Sequence, residues 1–150
     1  RYNYRHDSLS ALAALSISVL RKRMGLYLRF QQRNFKAPDV AKFLRVLLQH
    51  LVGPVVLLWD RSPIHRGPQI RKVCADYPRL VLESFPKYAP ELNPTEQIWQ
   101  DWKGHTANSL HRDRRQLHGR LHANLRRSRN SQKRLRAFVL ASGLPKPFDW

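Results

Sequence analysis

The segment "VVLLWD", residues 55–60, constrains this chain more than any other stretch. Five apolar residues in a row, without polar alternation, predict a short strand covered on both faces, because a strand with one wet face alternates. Gly53-Pro54 stops whatever precedes the run, and a carboxylate, Asp60, follows its last apolar side chain directly. A strand covered on both faces needs helices packed against its sheet, so the chain reads as α/β. A carboxylate at the end of such a strand is costly unless it is paired, caps a turn or holds a cation.

The flanking segments fit that class. In "SLSALAALSISVL", residues 8–20, Leu9, Ala11, Ala13, Leu15, Ile17 and Val19 share one face. "RKRMG" at 21–25 is a turn signal, and "LYLRFQ" at 26–31 alternates again through Leu26, Leu28 and Phe30. The pair predicts an antiparallel hairpin. Pro38 and Asp39 open a helix whose stripe is Val40, Phe43, Leu44, Leu47, Leu48 and Leu51. "GPQIRKVCADY" at 67–77 predicts a second helix, "RLVLESF" at 79–85 another strand, and "NPTE" opens a third helix. The order is strand, strand, helix, strand, helix, strand, helix: an antiparallel hairpin plus parallel strands, flanked by helices. In open α/β sheets chemistry gathers at the carboxyl ends of parallel strands, and Asp60 sits at such an end.

After about residue 110 the character changes. Acidic residues almost vanish, arginines crowd in, and Leu117, Leu121, Leu125, Leu135, Phe138 and Val139 recur at helical spacing. One or two basic amphipathic helices are expected, so residues 1–109 and 110–150 read as a mixed α/β domain and a basic helical extension. Arg112, Arg114, Arg115, Arg120, Arg126, Arg127 and Arg129 are the candidates for phosphate contact, the plainer reading being a solvated charged face.

Charge narrows the partners. With 28 Lys and Arg against 10 Asp and Glu, the formal net charge is +18, which favours a polyanion. Double-stranded DNA comes first and an anionic membrane surface second. No apolar stretch reaches the roughly 18 residues a spanning helix needs, and the start of the chain has no signal-peptide pattern. An RNA-binding reading would need stacking aromatics or an "RGFGF"-like pattern, which the sequence lacks. The one cysteine, Cys74, cannot form an internal disulfide. It fits a reducing, cytoplasmic setting and reads as a small buried hydrophobe.

Against scarce acids, "FPKYAPELNPTEQIWQDWK" at 85–103 holds three: Glu91, Glu96 and Asp101. Asn93 suits a helix cap, Pro94 the first helical position, and Glu96 the third. Glu96 therefore either bonds back to the Asn93 backbone in a capping box or serves as a carboxylate ligand on a rigid first turn. Asp60 either caps the loop "RSPIHRG" or ligates a divalent metal. Mg²⁺ and Mn²⁺ favour a few carboxylates plus water and phosphate oxygens. His65 is either structural, a support for Asp60, or a phosphate contact. Glu91 and Asp101 read as surface or capping groups, and Trp99 and Trp102 as core anchors.

"VVLLWDRSPIHRG" followed by "YAPELNPTEQIWQDWK" resembles the DDE-type transposases of bacterial insertion sequences related to the mariner superfamily. The resemblance covers most of residues 8–110. It implies an RNase H-like mixed sheet, with Asp60 as the second catalytic aspartate and Glu96, 36 positions later, as the catalytic glutamate. It implies Mg²⁺ or Mn²⁺ held by Asp60 and Glu96, with His65, Asn93 and Lys103 supporting the ligands or contacting phosphate. It implies double-stranded DNA as substrate, both the element's ends and the target, and a homodimer or an upstream transposase segment as partner. Strand cleavage would be followed by attack of the freed 3′-hydroxyl on target DNA. In such enzymes the first aspartate ends a strand upstream of the hairpin. Asp7 has no apolar run before it and is not matched to that residue. The expectation is therefore an N-terminally incomplete chain, with the first strand missing, marginally stable and inactive by itself. The alternative is a remnant that only binds DNA through its basic surface.

Overall fold

The computed structural model describes residues 10–107 and 114–149, with side chains described outside 105–118 and 121. The chain runs β1 (Ser10–Ser18), β2 (Arg23–Gln31), α1 (Ala37–His50), β3 (Val55–Trp59), α2 (Pro68–Asp76), β4 (Leu80–Ser84), α3 (Pro94–Ala107), α4 (Arg114–Arg129) and α5 (Gln132–Ala141). Single 3-10 turns occur at Pro63–His65 and Pro90–Leu92. β1 and β2 form the expected antiparallel hairpin, and β3 and β4 form a separate parallel pair. The mixed α/β class is thus observed, with two helices in the basic C-terminal part. No described helix is long and apolar enough to cross a membrane.

Two compact units emerge. One takes in the described residues up to Ala13 together with Leu28–Lys87; the other takes in Ala14–Tyr27 and the described residues from Tyr88 onward.

In the first unit α1 starts where Pro38 and Asp39 place it. The Asp39 carboxylate accepts the Lys36 N–H at 3.0 Å and both Arg33 guanidinium nitrogens at 2.7 Å. That bidentate pair, with the backbone bond, holds Asp39 well below the usual carboxylate range. Val40, Phe43, Leu44, Leu47 and Leu48 are buried, and α1 packs on α2, whose Ile70 and Val73 are also buried. The far end of α1 is closed from a distance. Arg79, at the head of β4, donates to the carbonyls of Leu48, Leu51 (2.8 Å) and Gly53 (2.6 Å). The Leu48 and Leu51 carbonyls belong to a helix end and have no partner within the helix, the Gly53 carbonyl lies in the turn beyond it, and a cation suits the negative end of the helix dipole.

β3 pairs with β4 in register Val55–Leu80 through Trp59–Ser84. Here the expectation of a strand covered on both faces is corrected. Val55, Leu57 and Trp59 are half-buried, but Val56 is 61% and Leu58 52% exposed, as is Val81 at 50% on β4. Side chains alternate between faces, and only one face of this pair carries a covering layer among the described residues. Cys74 on α2 is half-buried and unbonded to sulfur rather than fully enclosed.

In the second unit the hairpin turn is also shifted. It spans residues 19–22, with Lys22 at φ +48°, and β2 begins at Arg23. Val19, expected on the covered face, is 59% exposed, and Leu20 beside it at the tip is 98% exposed. Met24 and Leu26 are buried instead, so "MG" belongs to the strand. Gly25 serves close approach: a Cβ there would lie 2.8 Å from the Ser16 hydroxyl oxygen.

The helices α3, α4 and α5 pack on one another and bury Ile98, Leu125, Leu135, Phe138 and Val139. Asp101 accepts from Arg134 at 2.9 Å, which ties α3 to α5. Trp99 and Trp102 are half-buried, with ring centroids 5.6 Å apart. The side-chain amide of Gln132, at the start of α5, bonds twice to the backbone of Met24 on β2.

Candidate active site

Asp60 leaves the sheet at the carboxyl end of β3. The parallel pairing runs up to it, since the Phe85 N–H donates to the Trp59 carbonyl at 2.9 Å. Beyond that bond the chain turns away, and Pro63 starts the 3-10 turn that carries His65. The Asp60 Oδ1 accepts the Ser62 N–H at 2.9 Å, a local turn typical of aspartate. The same oxygen lies 2.8 Å from His65 Nδ1, and the Asp60 carbonyl lies 3.1 Å from that nitrogen. Both neighbours of Nδ1 are acceptors, so Nδ1 carries the proton and donates. The His65 ring lies flat on Trp59, with centroids 4.5 Å apart and planes 3° from parallel.

The result is a carboxylate with one oxygen held and one open. The His65 side chain is 13% exposed and the Asp60 side chain 59%. Oδ2 takes no partner among the described residues. Arg61 and Arg66, which sequence reasoning passed over, flank the loop and are exposed. Arg61 donates to the Phe85 carbonyl at 3.4 Å, and Arg66 to the Arg61 carbonyl at 3.3 Å. Their signal was present in "DRSPIHR", where two cations bracket the histidine. The Trp59 shelf under His65 was legible only as an apolar residue ending a strand.

Glu96 belongs to the other unit and is set by its own first turn. Asn93 caps α3: its side-chain oxygen accepts the Thr95 N–H at 3.1 Å and the Thr95 hydroxyl at 2.8 Å. The Asn93 N–H is already spent on the Pro90 carbonyl at 3.0 Å, within the preceding 3-10 turn. Glu96 therefore has no free N–H to bond back to, and the reciprocal half of the capping box does not form. Its half-buried carboxylate takes no partner among the described residues. Lys103, exposed, lies two turns further along the same face of α3, a rise of about 10 Å.

Of the arginines expected to meet phosphate, Arg120, Arg126, Arg127 and Arg129 are exposed on α4. Arg112 lies outside the described residues. Arg114 and Arg115 lie on the first turn of α4, and their side chains are outside those described.

A hard divalent cation suits these carboxylates. Each offers oxygen donors not consumed by the described residues, and Mg²⁺ keeps several waters and shares its shell with substrate phosphates. Among the described residues no three His, Cys, Asp or Glu side chains gather into a cage made by protein alone. No curated protein matches the chain. The model of the DDE superfamily endonuclease family, however, matches residues 4–118. That span contains both motif carboxylates and His65, covers well over half of the chain, and places this protein in the DDE superfamily endonuclease family.

Proposed function

We propose that the chain is the catalytic part of an insertion-sequence transposase, which cuts DNA at the ends of its element and joins the freed 3′ ends to a target. The observation that carries the reading is that Asp60 and Glu96 each stand at an element end with carboxylate oxygen that takes no partner among the described residues. In this reading Asp60 and Glu96 are the ligands for Mg²⁺ or Mn²⁺, on an RNase H-like arrangement of residues 1–109. When bound, such ions activate the attacking oxygen and stabilise the leaving oxygen of a phosphodiester.

The remaining roles belong to the chain. Asn93 fixes the start of α3, and with it the reach of Glu96. His65 supports Asp60. Lys103 neutralises phosphate along α3. Arg112, Arg114, Arg115, Arg120, Arg126, Arg127 and Arg129, in the extension 110–150, hold the DNA backbone without reading sequence. The proposed partners are a second copy of the chain or a further transposase segment, and the assembly acts in the cytoplasm, where chromosomal DNA is met.

A second reading is a remnant that binds DNA through its basic surface without cutting it, which rests on the formal net charge of +18 and the exposed Arg120, Arg126, Arg127 and Arg129. Calorimetric titration of the 150-residue chain with Mn²⁺, beside Asp60→Asn and Glu96→Gln, separates the two. Loss of Mn²⁺ affinity in both variants supports the catalytic reading. Unchanged affinity in both, with DNA binding retained, leaves only the remnant.

A further inference from the structure

We propose that His65 is a positioning residue for Asp60: its Nδ1–H bonds the Asp60 carbonyl and stands 2.8 Å from Oδ1, which leaves Oδ2 as the oxygen presented to a divalent cation. The proposal rests on the metal-binding reading of Asp60 given above and adds how that ligand is aimed. Three contacts carry it. Ser62 N–H and His65 Nδ1 both approach the same oxygen, at 2.9 and 2.8 Å. The second acceptor of Nδ1, the Asp60 carbonyl at 3.1 Å, belongs to the same residue, so the ring grips main chain and side chain together. Trp59, stacked at 4.5 Å and 3°, fixes the plane of the ring.

A carboxylate rotates about its Cβ–Cγ bond and exchanges its oxygens unless something breaks their equivalence. With about four lone-pair directions on the group, the Ser62 N–H takes one direction of Oδ1 and the nearby Nδ1–H favours negative charge on that same oxygen, while Oδ2 takes no partner among the described residues. An exposed aspartate on an irregular loop thereby acquires the fixed aim otherwise given to side chains on helices or strands. Hydrogen bonds of this supporting kind tune a metal site as much as the ligands do. A loop clasp without a metal role would need the same contacts, so the test must read the ligand's aim and not only the fold.

His65→Asn places an amide nitrogen where Nδ1 was; His65→Gln places it one bond further out, at the position of Nε2. Both lose the stack on Trp59, so their difference isolates the Nδ1 bond. With the full chain at one fixed pH, Mn²⁺ affinity by calorimetry is expected to fall about 10- to 100-fold in His65→Gln. It should stay close to wild type in His65→Asn. Equal affinities in the two variants overturn the proposal, as does a shift in the metal-free unfolding midpoint with no change in affinity. In the unmodified chain, ¹⁵N NMR of the His65 ring gives an independent reading, with a proton on Nδ1 expected and a proton on Nε2 alone overturning the assignment. If Asp60→Asn leaves Mn²⁺ affinity unchanged, the metal reading itself has failed. If Asp60→Asn abolishes affinity and the two His65 variants agree, only the positioning role has failed.

Discussion

The amide of Gln132 meets the backbone of Met24 on both sides: Oε1 accepts the Met24 N–H at 2.8 Å, and Nε2 donates to the Met24 carbonyl at 2.8 Å. A side chain 108 residues away thus stands where a neighbouring strand would stand, beside a residue only 5% exposed. Gln132→Ala leaves two main-chain groups unmet, each worth roughly 1–3 kcal/mol when buried. Urea unfolding is expected to show a clear loss of midpoint. Gln132→Glu keeps the acceptor but sets a carboxylate against the carbonyl, and should destabilise at least as much. A midpoint unchanged in Gln132→Ala would show that water replaces the amide.

Acid should act through Asp39. Its hydrogen bonds to Arg33, and then to the Lys36 N–H, lower its pKa from an ordinary 3.8. The unfolded chain therefore binds the proton more readily, and stability rises with pH through the carboxylate range. The contribution is complete above that range and is lost as pH falls from about 5 toward the depressed folded value. Arg33→Gln is expected to flatten this part of the stability–pH curve measured by urea unfolding. An identical slope in the variant would remove Arg33 as the cause.

If Asp60 and Glu96 share cations, their losses are coupled. Residues acting on one ligand show non-additive energies, typically by about 0.5–3 kcal/mol. Mn²⁺ affinity of the double variant Asp60→Asn/Glu96→Gln is expected to be only slightly below that of the weaker single variant. Strict additivity would mean two independent sites, and would end the shared-ion reading.

DNA binding should be governed by the backbone. Log affinity is expected to fall linearly with log salt, with a slope of about 0.9 per phosphate contact on duplex DNA. Replacing Arg126, Arg127 and Arg129, all exposed at the end of α4, with alanine should reduce that slope by about 2 to 3. A slope unmoved by the triple substitution would place the DNA elsewhere.

Local signals carried much of the fold. Pro38-Asp39 and Asn93-Pro94 start helices because their chemistry is contained within one turn, and the stripe from Val40 to Leu48 is buried as its period requires. Asp60 and His65 were legible as neighbours for the same reason, five positions apart on one loop. What escaped depends on partners distant in sequence. The run at 55–59 shows apolar character but not whether a layer covers each face, and Val56 and Leu58 proved open. Nor does the turn signal "RKRMG" fix a register: burial of Met24 and its clasp by Gln132 draw that residue into the strand. The duty of Glu96 turned on whether the Asn93 N–H was free, and the Pro90 carbonyl decides that.

Arg79 gives the first unit an order of assembly. The carbonyls it closes lie 26 to 31 residues earlier in the chain, so the last turn of α1 stays frayed until β4 arrives. Helix formation takes about a microsecond or less, whereas contacts between distant segments wait on closure of the intervening loop. The end of α1 and the pairing of β3 with β4 should then appear together in the folding record. In native-state hydrogen exchange the amides of Leu51 and Val55 should open as one event, and Arg79→Ala should uncouple them.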